Sequence, residues 1–183
     1  MPRQPRFLPP DNYFHIMNRG NNGQHIFTCD EDYAYYLEKL SNLKNEHPFD
    51  LYHYCLMGTH VHMLVKTQKE TDFSVFSKRL NLSYANYFKR NYGCLGHFWQ
   101  GRFKSQLIGN DIYFMQCGKY IELNPIRAGM VEDPSEYKWS SYSHYGGHFR
   151  GRFSFKHSFR LFVMYWCLWL NNLTENTSKR SDH

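Results

Sequence analysis

The chain has 183 residues, enough for one domain with a sizeable hydrophobic core. Its hydrophobic content of 42% argues against extensive disorder, and no apolar run is long enough to span a membrane. Lysine and arginine exceed aspartate and glutamate by 22 − 16 = 6, and 19% of the residues are aromatic. Basic and aromatic side chains together suit a surface that neutralises phosphates and stacks on unpaired bases, which favours a nucleic-acid partner over an ordinary basic protein.

The five cysteines are widely spaced, odd in number and without a CxxC pair. This pattern argues against both a disulfide framework and a zinc knuckle. The N-terminus shows no cationic start followed by an apolar signal core. We therefore expect a protein of the reducing cytoplasm.

The predicted elements begin after an irregular arm, residues 1–11, which is rich in proline. A strand over about 13–18 ends in an Arg-Gly-Asn-Asn-Gly turn, and Asp30 can cap the helix that follows, which Pro48 limits. Residues 51–57 predict a second strand, and a tight turn at Gly58-Thr59 joins it to a third.

The second half repeats this alternation of helix and strand. Thr71 or Asp72 can cap a second helix that Gly93 stops, and a fourth strand then runs to about residue 108. Asn110 or Asp111 caps a third helix, which Pro125 is expected to terminate, and a short helical turn is expected near 134–142. The order predicts an α+β, ferredoxin-like βαββαβ fold, with an antiparallel sheet, two helices on one face and an extra helix on the open face.

The third strand carries two histidines separated by one residue. Side chains alternate along a strand, so Val61, Met63 and Val65 would face the core, while His60 and His62 share the open face. Neutral imidazole is the commonest protein metal ligand, so the pair is a candidate metal site. A pair of solvated histidines is the alternative.

The third helix carries polar residues at four-residue steps: Gln116, Tyr120 and Asn124. A separate apolar stripe can dock the helix on the sheet: Phe114, Cys117 and Ile121. A docked helix would bring a phenol and an amide oxygen near the two imidazoles. Tyr120 can equally be a packing aromatic, and Asn124 can equally bond its own backbone.

Together, these side chains could act on a single phosphodiester bond. A divalent cation on His60, His62 and Asn124 would polarise a phosphodiester, and Tyr120 would attack it as the nucleophile. Mixed nitrogen and oxygen ligands allow Mg²⁺, Mn²⁺ or zinc, so these residues leave the identity of the metal open.

Four blocks occur in order along the chain: NRGN (18–21), MGTHVH (57–62), WQGRF (99–103) and YIELNPIRAG (120–129). Over about residues 12–145 the sequence resembles the REP-associated tyrosine transposases, relatives of the single-tyrosine HUH transposases of small bacterial insertion sequences. REP stands for repetitive extragenic palindrome. The resemblance implies an HUH domain over 12–150. It also implies that His60 and His62 bind Mg²⁺ or Mn²⁺, that Asn124 supplies a further ligand, and that Tyr120 is the nucleophile.

The resemblance also implies a substrate and a setting. The substrate would be a single-stranded DNA hairpin of the REP type with an adjacent tetranucleotide, cleaved to a 5′-phosphotyrosine and a free 3′-hydroxyl. The implied setting is the bacterial cytoplasm, at the nucleoid. We expect a monomer, and a dimer with swapped helices is the alternative. Residues 151–183 match no motif and form a C-terminal extension.

The candidate DNA-binding side chains are mostly basic and lie beside these blocks or on the arm: Arg3, Arg6, Arg19, Trp99, Arg102, Lys104 and Arg127. Arginine grips phosphate or a guanine edge with two hydrogen bonds. Trp99 can stack on a flipped base or pack in the core.

Two other functions compete with the transposase interpretation. A non-catalytic regulator that binds DNA hairpins would share the fold but would not need His60, His62 and Tyr120 together. A replication initiator or relaxase uses the same chemistry but usually carries larger accessory domains.

Overall fold

The structure is a computed structural model, and it describes residues 7–93 and 96–142. The elements of these described residues, in chain order, are β1 (Tyr13–Arg19), a 3₁₀ turn (Asn21–Gly23), α1 (Asp30–Glu46), β2 (Phe49–Met57), β3 (His60–Thr67), α2 (Phe73–Tyr92), β4 (Lys104–Ile108), α3 (Asp111–Glu122), α4 (Asn124–Arg127) and a 3₁₀ turn (Pro134–Glu136). None of the described helices combines the length and apolarity needed to cross a bilayer. The arm residues Arg3 and Arg6 and the extension 151–183 lie outside the described residues.

The four strands form one antiparallel sheet in the order β2-β3-β1-β4. This is the ferredoxin-like arrangement that the order of elements predicts, so the fold prediction is confirmed. The central strands β1 and β3 pair along their whole length, from Tyr13 opposite Lys66 to Arg19 opposite His60. The middle of the sheet therefore holds the histidine strand in a fixed register.

Alternation along the central strands separates two faces. Val61, Met63 and Val65 are buried, as predicted. The same face of β1 contacts α2, where the Asn18 amide donates a hydrogen bond of 2.8 Å to the Asn81 side-chain oxygen. Helices α1 and α2 contact each other extensively. The opposite face carries the histidines and is covered by α3.

Most of the predicted helix ends are present. The Asp72 carboxylate accepts a hydrogen bond from the Val75 backbone at 2.9 Å, and α2 ends at Gly93, whose φ of 64° is left-handed. The Asn110 side chain accepts one from the Tyr113 backbone at 2.8 Å and so caps α3. These side chains and glycine determine where the helices start and stop.

Two predicted helix ends were wrong in detail, and one short helical turn was confirmed. Cys29, not Asp30, precedes α1, and the buried Asp32 carboxylate reaches back to accept the Thr28 backbone N–H at 2.8 Å. Pro125 does not end α3, which stops at Glu122. It lies in the first turn of α4, where a missing N–H costs nothing. The short helical turn expected near 134–142 is present as the 3₁₀ turn Pro134–Glu136, after which Trp139 and Ser141 make backbone hydrogen bonds with β2.

Candidate functional site

His60 and His62 lie side by side on the sheet face opposite the apolar core, and their ring centroids are 4.8 Å apart. That face is not open at His62, however, which is only 2% exposed, while His60 is half-buried. The alternative of a solvated histidine pair is therefore wrong for His62, which lies on the predicted face but is covered there. The rings of His15, from β1, and Tyr120, from α3, lie against it.

One ring nitrogen of each histidine, Nδ1, already has a hydrogen-bond partner. Thr59 Oγ1 lies 2.9 Å from His60 Nδ1, and His15 Nε2 lies 2.9 Å from His62 Nδ1. Neither Nε2 atom has a hydrogen-bond partner within residues 7–93 and 96–142. A metal-binding histidine ordinarily uses its other nitrogen in this way, which fixes the ring orientation and the tautomer.

Burial keeps these imidazoles neutral. The pKa of His62 is lowered to about 3, mainly because the ring is buried away from water and to a lesser extent because of the neighbouring His15 and His60. Burial is also the main cause that lowers the pKa of His60, and the positive charge of Arg19 lowers it further. Burial alone lowers the pKa of His15. All three rings are therefore in the uncharged form that binds a cation at neutral pH.

Tyr120 projects from α3 toward the histidines. Its ring centroid is 5.6 Å from that of His62 and 6.0 Å from that of His15, and its side chain remains 40% exposed. The Arg127 guanidinium carbon lies 5.0 Å from the centre of the same ring. The phenol is thus close to the histidines and accessible to a large substrate.

The predicted apolar stripe docks α3 on the sheet. Phe114, Cys117 and Ile121 are all buried, and Phe114 packs edge-on against Tyr13 and Tyr52. The stripe therefore holds the helix so that Tyr120 lies over the histidines.

A buried polar network fixes the end of α3 that carries Tyr120. His53 Nδ1 lies 2.8 Å from Glu122 Oε1, and the Ser141 hydroxyl donates a hydrogen bond of 2.8 Å to the same oxygen. All three residues are buried. Gly118 allows this close approach, because a Cβ there would lie 2.8 Å from His53 Nε2.

Asn124 begins α4, one turn beyond Tyr120. It is 9% exposed, and its side-chain nitrogen donates to the Tyr120 carbonyl at 2.9 Å and to the Ile121 carbonyl at 3.4 Å. The backbone-bonded arrangement considered from the sequence is therefore present. It leaves Oδ1 without a donor in the described part of the chain. A nearly buried amide oxygen with no partner remains available to ligate a cation.

Few other metal-binding side chains in the described part of the chain lie around the two histidines. Among the described residues, no group of three or more His, Cys, Asp or Glu side chains is arranged to hold a metal ion. A cation on His60 and His62 would therefore take its remaining ligands from uncharged groups, water or substrate.

Two cavities flank Tyr120, and both are also lined by Met17, His62 and Lys104. The first, which we call the basic cavity, has a volume of about 590 Å³ and includes His60. Its remaining lining is rich in cationic and polar groups: Asn18, Arg19, Thr59, Gln100, Gly101 and Arg102. The second, which we call the glutamine cavity, has a volume of about 540 Å³ and lies between α3 and the β1–β4 pair, where it includes Gln106 and Gln116.

The structure distributes the candidate DNA-binding residues unevenly. Arg19, Arg102 and Lys104 line the basic cavity, whereas Arg127 contacts Tyr120. Trp99 lies in a different cavity, of about 650 Å³, against α2, where its Nε1 donates to the Asn81 carbonyl at 2.9 Å. No described contact therefore brings Trp99 to the histidines.

His15 is the site residue that the sequence analysis missed. Side chains alternate along β1, so His15 lies on the face opposite the buried Phe14 and Ile16. Because β1 pairs directly with β3 in a ferredoxin-like sheet, this position could have indicated that His15 lies beside the histidine pair.

A model of one protein family matches residues 10–124, and that family is described as transposase, IS200-like. The match covers more than half of the chain and includes β1 through Asn124. The chain belongs to the IS200-like transposase family. The sequence-based assignment to single-tyrosine transposases is therefore confirmed, and no curated protein sequence gives a significant match.

Three solved structures were found to be similar to this chain, and one of them shares its fold. A REP-associated tyrosine transposase bound to a REP hairpin matches with a TM-score of 0.66 at 18% identity, over 86% of this chain and 96% of that one. A candidate transposase from Deinococcus radiodurans R1 matches with a TM-score of 0.46 at 16% identity, over 66% and 95%. A bacterial tRNA(His) guanylyltransferase-like protein in complex with GTP matches with a TM-score of 0.42 at 14% identity, over 66% of each chain. The first match shows a shared fold, and the other two are too distant to support a conclusion.

Proposed function

We propose that this transposase is a metal-dependent endonuclease and strand transferase that acts on single-stranded DNA hairpins through Tyr120. One observation carries the proposal. The exposed phenol ring lies 5.6 Å from the ring of His62 and borders a cavity lined by Arg19, Arg102 and Lys104. A nucleophile, a pair of neutral imidazoles and a phosphate-binding surface therefore meet at one place.

The residues present fit a divalent cation. His60 and His62 would bind it through Nε2, and the Asn124 amide oxygen is the proposed further ligand. Mixed nitrogen and oxygen ligands of this kind allow Mg²⁺ or Mn²⁺, which would take oxygen ligands from the amide, water and the substrate phosphate. A bound cation would supply Lewis-acid polarisation of the scissile phosphodiester.

The chain's own groups would perform the transfer. Arg19, Arg102 and Lys104 would hold the phosphates that flank the scissile bond in the basic cavity. The Tyr120 oxygen would attack phosphorus and lose its proton, while the bond to the 3′ oxygen breaks and that oxygen leaves as a hydroxyl. The 5′-phosphotyrosine conserves the bond energy, so attack by a 3′-hydroxyl could rejoin strands without ATP.

The proposed substrate is a hairpin of the REP type with an adjacent unpaired tetranucleotide. Its support is the four sequence blocks and the shared fold with a transposase that was solved on a REP hairpin. Arg127 lies against Tyr120 and would contact the same strand, and Trp99, Arg3 and Arg6 are further proposed contacts. We propose a monomer that works at the bacterial nucleoid, with a dimer as the alternative.

The test uses a REP-type hairpin oligonucleotide with unpaired flanks, incubated with the full chain in Mn²⁺, in Mg²⁺ or in EDTA. We expect a protein–DNA adduct that resists denaturation, needs the cation and is lost in Tyr120→Phe. Tight binding without an adduct in either metal would contradict the proposal and support the alternative, a regulator that binds hairpins without cleaving them.

A further inference from the structure

The glutamine cavity differs in chemistry from the basic cavity. Gln106 projects from β4 on the same sheet face as His15, its direct partner in the β1–β4 pairing. Gln116 and Tyr113 project from α3, one turn and two turns before Tyr120. Two carboxamides and a phenol ring therefore border a space that ends at Tyr120.

These side chains are exposed and available. Gln106 and Gln116 are exposed, and Tyr113 is 50% exposed. Within residues 7–93 and 96–142, neither glutamine side chain has a hydrogen-bond partner. Each carboxamide can donate two hydrogen bonds and accept two, so together they offer a mixed set of donors and acceptors.

Such a set matches a nucleobase better than a phosphate. Unpaired bases are recognised by hydrogen bonds along their edges and by stacking on aromatic rings. Glutamine matches the adjacent donor and acceptor of adenine particularly well. The guanidinium groups of Arg19 and Arg102 in the basic cavity, by contrast, suit the phosphate backbone, and the Lys104 ammonium lines both cavities.

We propose that the glutamine cavity holds one unpaired base next to the scissile phosphate, and that Gln106 and Gln116 select which base is accepted. This inference rests on the proposed function and adds a specificity determinant to it. A strand crossing Tyr120 has its phosphates in the basic cavity on one side. Its flanking base enters the glutamine cavity on the other, against the ring of Tyr113.

The experiment uses a hairpin oligonucleotide whose unpaired flanks are randomised. Adducts formed in Mn²⁺ are isolated and the released and attached strands are sequenced, which gives the base preference at each position beside the cut. We expect the unmodified protein to prefer one base, most simply adenine, by about 5-fold or more at one flanking position, since a matched bidentate contact is worth about 5- to 150-fold.

Three variants locate the source of that preference. Gln116→Leu and Gln106→Leu should each flatten the ranking while adducts still form. Gln116→Glu keeps the shape but only accepts hydrogen bonds, so it should shift the preference toward cytosine, which presents a donor. Asn42→Leu, at an exposed amide on α1, is the matched control and should leave the ranking unchanged.

A ranking that stays the same in both leucine variants would overturn this inference while leaving the cleavage proposal intact. A binding measurement distinguishes a failure of the base site from a failure of the cleavage proposal. The randomised oligonucleotides are selected by their affinity for the Tyr120→Phe variant, which lacks the nucleophile. A preference that depends on the glutamines supports the base site even without adducts, and no preference in binding or cleavage contradicts it.

Discussion

His15 Nε2 lies 2.9 Å from His62 Nδ1, and the two rings stack with their centroids 5.1 Å apart. The ring of His15 also lies 6.0 Å from that of Tyr120, edge to face. One side chain of β1 thus contacts both a proposed metal ligand and the proposed nucleophile. We therefore infer that His15 is a positioning residue that fixes the tautomer and orientation of His62.

We predict that His15→Ala weakens Mn²⁺ binding by about 10- to 100-fold, the usual effect of removing a partner of a metal-binding histidine. Isothermal titration of the metal-free protein with Mn²⁺ measures this. His15→Gln, which can still hydrogen-bond to His62, should restore part of the affinity. His97→Ala, at an exposed histidine outside the site, is the control. Equal affinities in all four proteins would refute a positioning role.

Asn124 offers a sharper test, because its two polar atoms have different roles. Its nitrogen donates to the Tyr120 carbonyl, and its free oxygen is the proposed ligand. Asn124→Asp keeps an oxygen ligand but loses the donor, whereas Asn124→Ala loses both. We predict that Mn²⁺ affinity falls in the alanine variant and is retained in the aspartate variant. If the two variants bind Mn²⁺ as tightly as the unmodified protein, Asn124 is not a metal ligand and acts only through its hydrogen bonds to the backbone at the end of α3.

Gly118 tests how closely α3 must dock on β2. A Cβ at this position would lie 2.8 Å from the buried His53 ring, whereas a Cβ at Gly109 would meet nothing within 4 Å. We predict that Gly118→Ala destabilises the protein by about 1–3 kcal/mol, as overpacking does, and lowers adduct formation by displacing Tyr120. Gly109→Ala should change stability far less. Thermal unfolding of both variants measures the difference, and equal melting temperatures would argue against tight docking.

Lys104 lines both cavities and is predicted to bind a DNA phosphate. Each phosphate that a cationic side chain neutralises on single-stranded DNA adds about 0.7 to the slope of log K against log salt. In a Tyr120→Phe background, which prevents cleavage, Lys104→Gln should therefore reduce the slope for hairpin binding by about this amount. Lys69→Gln, at an exposed lysine in the β3–α2 connection, is the charge-matched control. Fluorescence anisotropy at several salt concentrations measures the slopes, and identical slopes for the two variants would count against phosphate binding by Lys104.

Much of the fold could be predicted because the deciding interactions are local. Period-two alternation assigns Val61, Met63 and Val65 to the core, and the caps at Asp72 and Asn110 act within three residues. Pro125 misled the prediction, because proline is as compatible with the first turn of a helix as with the end of the preceding one.

The candidate site was less accessible from the sequence, because it depends on contacts between distant segments. His60 and His62 are visible as a spacing pattern, but the burial of His62 comes from His15 and Tyr120, 47 residues before it and 58 after it. The docking of Gly118 on His53 is equally non-local. Such contacts have no local sequence signal, because the residues that make them are far apart in the chain.

The most direct test identifies the amino acid that carries the DNA. The hairpin adduct formed in Mn²⁺ is digested with nuclease and trypsin, and the modified peptide is sequenced by mass spectrometry. Cleavage after Lys119 and Arg127 releases residues 120–127, in which Tyr120 is the only tyrosine. The account predicts a nucleotide phosphate on this peptide, attached to Tyr120. Attachment to any other residue, or tight hairpin binding with no modified peptide, would contradict it.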